Sequence, residues 1–159
     1  MSDIWADLEH QYSSLFVKNG SGSAIELYGC PGWVNIVVTL LDMLEKLGGV
    51  QINLIKEKWG CIRIQSHTVQ SEVAQALCNY AMTLSEVTCC ECGRAGSIQN
   101  HSGYYLALCS DCKDNMIRND PNNRCSQCGK FEINCVHVED HWGYIHIRCG
   151  ECSQTYGRF

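Results

Sequence analysis

What most constrains this chain is a cysteine frame written twice. Cys89-x-x-Cys92 is followed after 16 residues, the first of them Gly93, by Cys109-x-x-Cys112; Cys125-x-x-Cys128 is followed after 20 residues, the first of them Gly129, by Cys149-x-x-Cys152. The segments around the second pairs repeat as well: HSGYYLALCSDC at 101–112 returns as HWGYIHIRCGEC at 141–152. Two residues between cysteines let one tight turn aim both sulfurs at a single tetrahedral centre, and the following glycine supplies the positive φ that closes the turn. Two such pairs per frame make a four-thiolate zinc pattern. The reading is two structural Zn²⁺ ions, held by Cys89, Cys92, Cys109 and Cys112, and by Cys125, Cys128, Cys149 and Cys152. The segment between the pairs should run out and back as a short hairpin, as in a zinc ribbon.

The rest of the composition supports metal over disulfides. The N-terminus MSDIWADLEHQY has neither a basic region nor a long apolar run, so no secretory signal is expected there. The longest apolar stretch, WVNIVVTLLDMLEKL, is too short and polar to span a membrane. A cytoplasmic location is expected, and thirteen cysteines in a reducing compartment point to metal. Most of those cysteines lie beyond residue 88, where long apolar stripes give way to Gly, Asn and Cys. Such a region buries too little carbon to fold unaided, and its order should depend on the metal.

Residues 1–87 read differently. Ile4, Trp5, Leu8, Tyr12, Leu15 and Phe16 recur at helical spacing over 3–17. GCPGW leads into a second helix with the stripe Val34, Val37, Val38, Leu41, Leu44 and Leu47, ended by Gly48-Gly49. VQINL and CIRIQ alternate, giving a β-hairpin over 50–65 with Lys56 to Gly60 at or near its turn. A third helix over 69–86 would face the core with Val69, Val73, Leu77, Tyr80, Ala81 and Leu84. The fold class is α+β: an N-terminal α-α-β-β-α unit over 1–87, then two tandem zinc-ribbon-like units over 88–118 and 119–159.

The remaining cysteines and the histidines are assigned as follows. Cys90 falls opposite Ser126 when the frames are aligned, so it is a spare. Cys135, with His137 nearby, is a reserve ligand for the second frame. Cys30, Cys61 and Cys78 sit among apolar residues as small buried side chains. His101 and His141 repeat in register as turn residues. Asp140-His141 also matches the opening of a ββα-metal nuclease, although no Asn/His pair follows at the expected spacing. At the hairpin tip, Lys56, Lys58 and Trp59 combine an aromatic with two cations, the composition of a partner-binding anchor.

GWVNIVVTLLDMLEKL, INLIKEKWGCIRIQ and TCCECGRAGSIQNHSGYYLALCSDC, in that order, resemble a group of small bacteriophage and prophage zinc-binding proteins. That group has a Gly-Trp helix, a Lys-Glu-Lys-aromatic-Gly-Gly hairpin and a CxxCG…CxxC/H zinc unit. The resemblance covers about residues 26–112; it departs at Cys61, where the second Gly is usual, and in the added second zinc unit. It implies a viral origin and a bacterial host cytosol, but no reaction. The expected function is therefore that of a non-enzymatic accessory protein that binds a host protein, inhibiting host defence in the anti-CRISPR manner or redirecting transcription. The alternatives are a nucleic-acid-binding tandem zinc-ribbon regulator and a metal-dependent nuclease. Charge disfavours a phosphate-binding role: residues 1–87 carry 5 Lys/Arg against 9 Asp/Glu, and residues 88–159 carry 7 against 8.

Overall fold

The computed structural model describes residues 3–17, 22–69, 71–101, 103–133, 135–139 and 144–155. The chain forms two compact units, residues 1–110 and 111–159.

The first unit is built on a three-stranded sheet in the order β1-β2-β3. Strand β2 (Val50–Lys58) pairs antiparallel with β3 (Cys61–Val69). Trp59 and Gly60 join them, both at positive φ, as a two-residue type I′ connection requires. Gly60 N–H also donates to Glu57 Oε1 at 2.8 Å. The short β1 (Ile25–Glu26) lies parallel to Ile55 and Lys56, a pairing that two residues of sequence do not announce.

Helix α1 (Ile4–Gln11) begins at Asp3, whose side chain accepts from Trp5 N–H. It is shorter than the periodicity predicts. Residues 12–15 form turns, and Phe16 bridges to Ile52. The reason lies in β2, whose ladder is irregular between Gln51 and Leu54. Ile52 sends its N–H to Leu15 O at 2.7 Å and accepts from Val17 N–H at 3.0 Å. The buried side chains of Tyr12, Leu15 and Phe16 keep the inward face that a longer helix would have given them.

Pro31–Trp33 form one 3-10 turn that runs into α2 (Val34–Leu47). Gly48 takes φ 71° and returns its N–H to Leu44 O, ending the helix as predicted. The buried face is Ile36, Val37, Leu40, Leu41 and Leu44, with Leu47 exposed. Helix α3 (Glu72–Glu86) is capped by Ser71, which accepts from Val73 and Ala74. It packs against β3 and α2. Its core face differs in part from the predicted one: Ala81 is buried as expected, but Ala74, Cys78 and Ser85 are buried beside it, while Val73 and Tyr80 point to solvent. Val69, predicted in the first turn of this helix, is instead the last residue of β3, paired with Val50. Small residues let the helix backbone approach the sheet, and an assignment weighted by bulk misses that face. Ser85 is satisfied there, with its Oγ accepting from Ile62 N–H at 2.9 Å and donating to Met82 O at 2.6 Å. Cys30, Cys61 and Cys78 are buried, as expected of them.

The first cysteine turn belongs to this same unit. Gly32 N–H donates to Cys90 O at 2.6 Å, and Trp33, fully buried, donates from Nε1 to Thr88 O at 2.8 Å. A Cβ on Gly32 would lie 2.3 Å from Cys89 O, 2.4 Å from Gly93 N and 2.8 Å from Cys90 O, so only glycine fits. Hairpin β4 (Ser97–His101) and β5 (Tyr104–Leu108) follows, with Gly103 at φ 92° in its turn. Helix α4 (Ser110–Asn119) comes next.

The second unit contains hairpin β6 (Val136–Glu139) and β7 (Ile145–Arg148) and helix α5 (Gly150–Thr155). Among the described residues, no helix is long and apolar enough to cross a membrane.

Candidate metal centres

Each frame positions its sulfurs in the same way. Cys89 N–H donates to Arg94 O, Gly93 N–H to Cys89 O and Cys90 N–H to Ala107 O, at 2.7, 2.9 and 2.8 Å. In the copy, Cys125 N–H donates to Lys130 O, Gly129 N–H to Cys125 O and Ser126 N–H to Ile147 O, at 3.0, 2.9 and 2.8 Å. Gly93 and Gly129 hold φ 75° and 71°. Flanking bridges repeat too, Thr88 to Ala95 and Arg124 to Phe131. The last two cysteines are placed differently from a ribbon. Cys109 and Cys149 end the returning strands, while Cys112 and Cys152 stand in the first turns of α4 and α5. The repeated unit is thus a turn, a hairpin and a helix, and the spacing alone gave no sign of the helices.

The structure brings together two groups: Cys89, Cys92, Cys109 and Cys112, and Cys125, Cys128, Cys149 and Cys152. Within each group the sulfurs lie within 4.8 Å of one another. Cys92 and Cys109 are 3.6 Å apart, Cys128 and Cys149 3.8 Å. A tetrahedron with metal–sulfur bonds of about 2.3 Å has sulfur–sulfur edges of about 3.8 Å, so both groups have the dimensions of a four-thiolate metal site.

Backbone amides prepare the sulfurs for negative charge. N–H groups of Cys128, Cys149 and Gln127 donate to Cys125 and hold its thiol down at about 6, against burial. At Cys89, burial outweighs the N–H groups of Cys109, Cys92 and Glu91 and raises the thiol. Side-chain hydrogen bonds with the sulfurs of Cys149 and Cys128, together with burial, hold the Cys152 proton and push its thiol up to about 12. Arg94 adds positive charge at the first group, with Nε 3.4 Å from Cys92 Sγ and Nη2 3.6 Å from Cys109 Sγ. Lys130, its counterpart in the copy, instead pairs with Glu151 at 3.1 Å.

The remaining cysteines stand apart. Cys90 is buried beside the Cys30 thiol, and that neighbour, with burial, raises it far above the ordinary range. Cys135 donates its thiol to Glu132 O at 3.3 Å and lies outside the second group. His101 pairs with Tyr104 at the end of the first hairpin. Asp140 and His141, the basis of the nuclease alternative, lie outside the described residues.

At the other candidate site, Trp59 is 60% exposed at φ 60°, the one non-glycine described residue with positive φ. Its ring lies 5.6 Å from that of Tyr105, tilted at 58°, and Tyr104 beside it is 76% exposed. Lys58 is exposed and Lys56 half-buried. The sequence reading placed Trp59 at the tip and kept Tyr104 and Tyr105 only as base-stacking candidates of the nucleic-acid alternative, without joining them to Trp59.

No protein-family model, curated protein or solved structure matches this chain.

Proposed function

We propose that this is a zinc-binding accessory protein of the bacteriophage kind, acting without catalysis by binding a host protein in the bacterial cytosol. In that role it would inhibit host defence or redirect transcription. Two Zn²⁺ ions hold the cysteine groups. Four thiolates fill a tetrahedral shell, leaving no position for substrate, which is the mark of a structural site.

The observation that carries the binding role is the conformation of Trp59. A left-handed φ costs a non-glycine residue about 1–2 kcal/mol, and this turn type favours Asn or Asp at that position. A large aromatic there, mostly exposed and in tilted contact with Tyr105, serves the fold poorly and a contact surface well. The nucleic-acid reading draws on the same rings, since bases stack on exposed aromatics. The balance of 7 basic and 8 acidic residues beyond position 87 weighs against it.

Tagged full-length chain, loaded with zinc and passed through bacterial host lysate, should retain one protein. The Lys58→Ala/Trp59→Ala variant should release it. Retention of nucleic acid with steep salt dependence, unaffected by that double change, would favour the second reading.

A further inference from the structure

The two metal units are copies, but only the first has its outer face covered in the described residues. At Gly93, a Cβ would meet Gly32 O at 3.0 Å; at Gly129 it would meet nothing within 4 Å among the described residues. Cys90 is buried under the Gly32 turn, whereas its counterpart Ser126 is exposed and satisfies its hydroxyl on Ile147 O of its own hairpin. Along the hairpin, Ala107 is fully buried and Tyr105 39% exposed; their counterparts are Ile147, half-buried, and Ile145, 68% exposed.

We infer that the exposed face formed by Ser126, Gly129, Ile145 and Ile147 is a second protein-docking site, deepening the protein-binding reading above. Its occupant is a partner protein's tight turn that presents a glycine N–H at its apex with an aromatic donor after it. The first unit supplies the template. There the knuckle receives one glycine N–H on a carbonyl, at a separation that excludes any Cβ, and one indole N–H on a second carbonyl two residues earlier. The second knuckle repeats the backbone hydrogen bonds that orient those carbonyls, at residues 124 and 126. The carbonyl oxygens of residues 124 and 126 make the face an acceptor surface, which the N–H donors of a protein turn match and the acceptor oxygens of a phosphate do not. Ile145 and Ile147 supply the apolar contact that Tyr105 and Ala107 make available to the first unit's neighbours.

The probe is a cyclised peptide that carries residues 27–36 of this chain with Cys30→Ser. It is titrated into ¹⁵N-labelled, zinc-loaded full-length protein. Amide shifts should appear at 125–131 and 145–148 but not at 89–94, where the chain's own turn is already seated. Ile145→Asp in the protein, or Gly32→Ala in the probe, should each weaken binding by about tenfold or more. Trp59→Ala should leave probe binding unchanged, which separates this site from the patch tested on host lysate. Probe binding without host-protein capture would leave this face standing and remove the host-binding reading; capture without probe binding would do the reverse. The inference is overturned if millimolar probe shifts nothing, if the Ala probe binds equally, or if an oligonucleotide displaces the probe from 125–131. It is also overturned if the chain self-associates through Ile145 in sedimentation runs.

Discussion

The indole N–H of Trp33 donates to the carbonyl oxygen of Thr88, 55 residues away, at 2.8 Å. The bond joins the start of α2 to the residue before the first metal-binding turn. Loss of metal from the first group should therefore reach the hydrophobic core. Full chelation should shift or broaden the Trp33 indole signal in a ¹H–¹⁵N spectrum, along with the amides of 89–112. An unchanged Trp33 signal after complete metal removal would show that the core holds the turn without help.

Gly32 and Gly129 make a paired test. Gly32→Ala drives a methyl into Cys89 O and Gly93 N, backbone atoms that cannot rotate away. It should cost about 3 kcal/mol or more, at the upper end of overpacking effects. Gly129→Ala meets nothing within 4 Å among the described residues but keeps φ 71°, and should cost about 1–2 kcal/mol from conformation alone. Urea denaturation of both variants would rank them, and equal losses would contradict the steric account.

Elemental analysis of freshly reduced protein should give two zinc ions per chain. Cys109→Ser and Cys149→Ser should each lower the content to one. The two groups share no ligand, so neither variant should empty the other site.

Trp59→Asn replaces a strained residue with one that type I′ turns prefer, at the loss of the ring contact with Tyr105. These effects are each about 1 kcal/mol and opposed, so thermal stability should change little. Partner affinity should fall by about 2 kcal/mol or more, read by calorimetry. A large drop in melting temperature would return Trp59 to a structural role.

Tyr12 is buried and donates its hydroxyl to Asp42 Oδ1 at 2.6 Å. The hydrogen bond to Asp42 comes first, then burial and the Asp42 charge, in raising its pKa from 10.0 to about 12. Because the folded-state value lies above the unfolded one, this contribution to stability is complete below pH 10. It should fade as pH rises from 10 toward 12. Tyr12→Phe should cost about 1 kcal/mol at pH 8 and flatten that part of the pH profile. A wild-type profile no steeper than the variant's would show that the bond contributes nothing to folding.

Much of the architecture was legible because its signals are local. Gly48-Gly49 marks the end of α2, and the alternation around Trp59-Gly60 marks the β2–β3 hairpin. The paired cysteine spacing groups the sulfurs that the structure brings together. What the sequence hid is tertiary. Phe16 leaves its helix because Ile52 has backbone groups to share. Helix α3 buries Ala74 and Ser85 because close approach matters more there than side-chain bulk. Tyr105 joins Trp59 only when two hairpins distant in sequence meet. Helices α4 and α5 carry Cys112 and Cys152 in segments that are short and polar, without an apolar stripe to betray them.

The seating of Gly32 on the first cysteine turn bears on how such a chain can be divided or recombined. The change in composition near residue 88 invites a cut there. A fragment that stops at 87 would strand the Gly32 N–H and the Trp33 indole without their acceptors and bare the apolar turn around them. Exchange of parts between related genes would succeed at a joint after α4, where the four sulfurs of the first group travel with the core they brace. A joint at the compositional shift would leave two halves that each lack a wall.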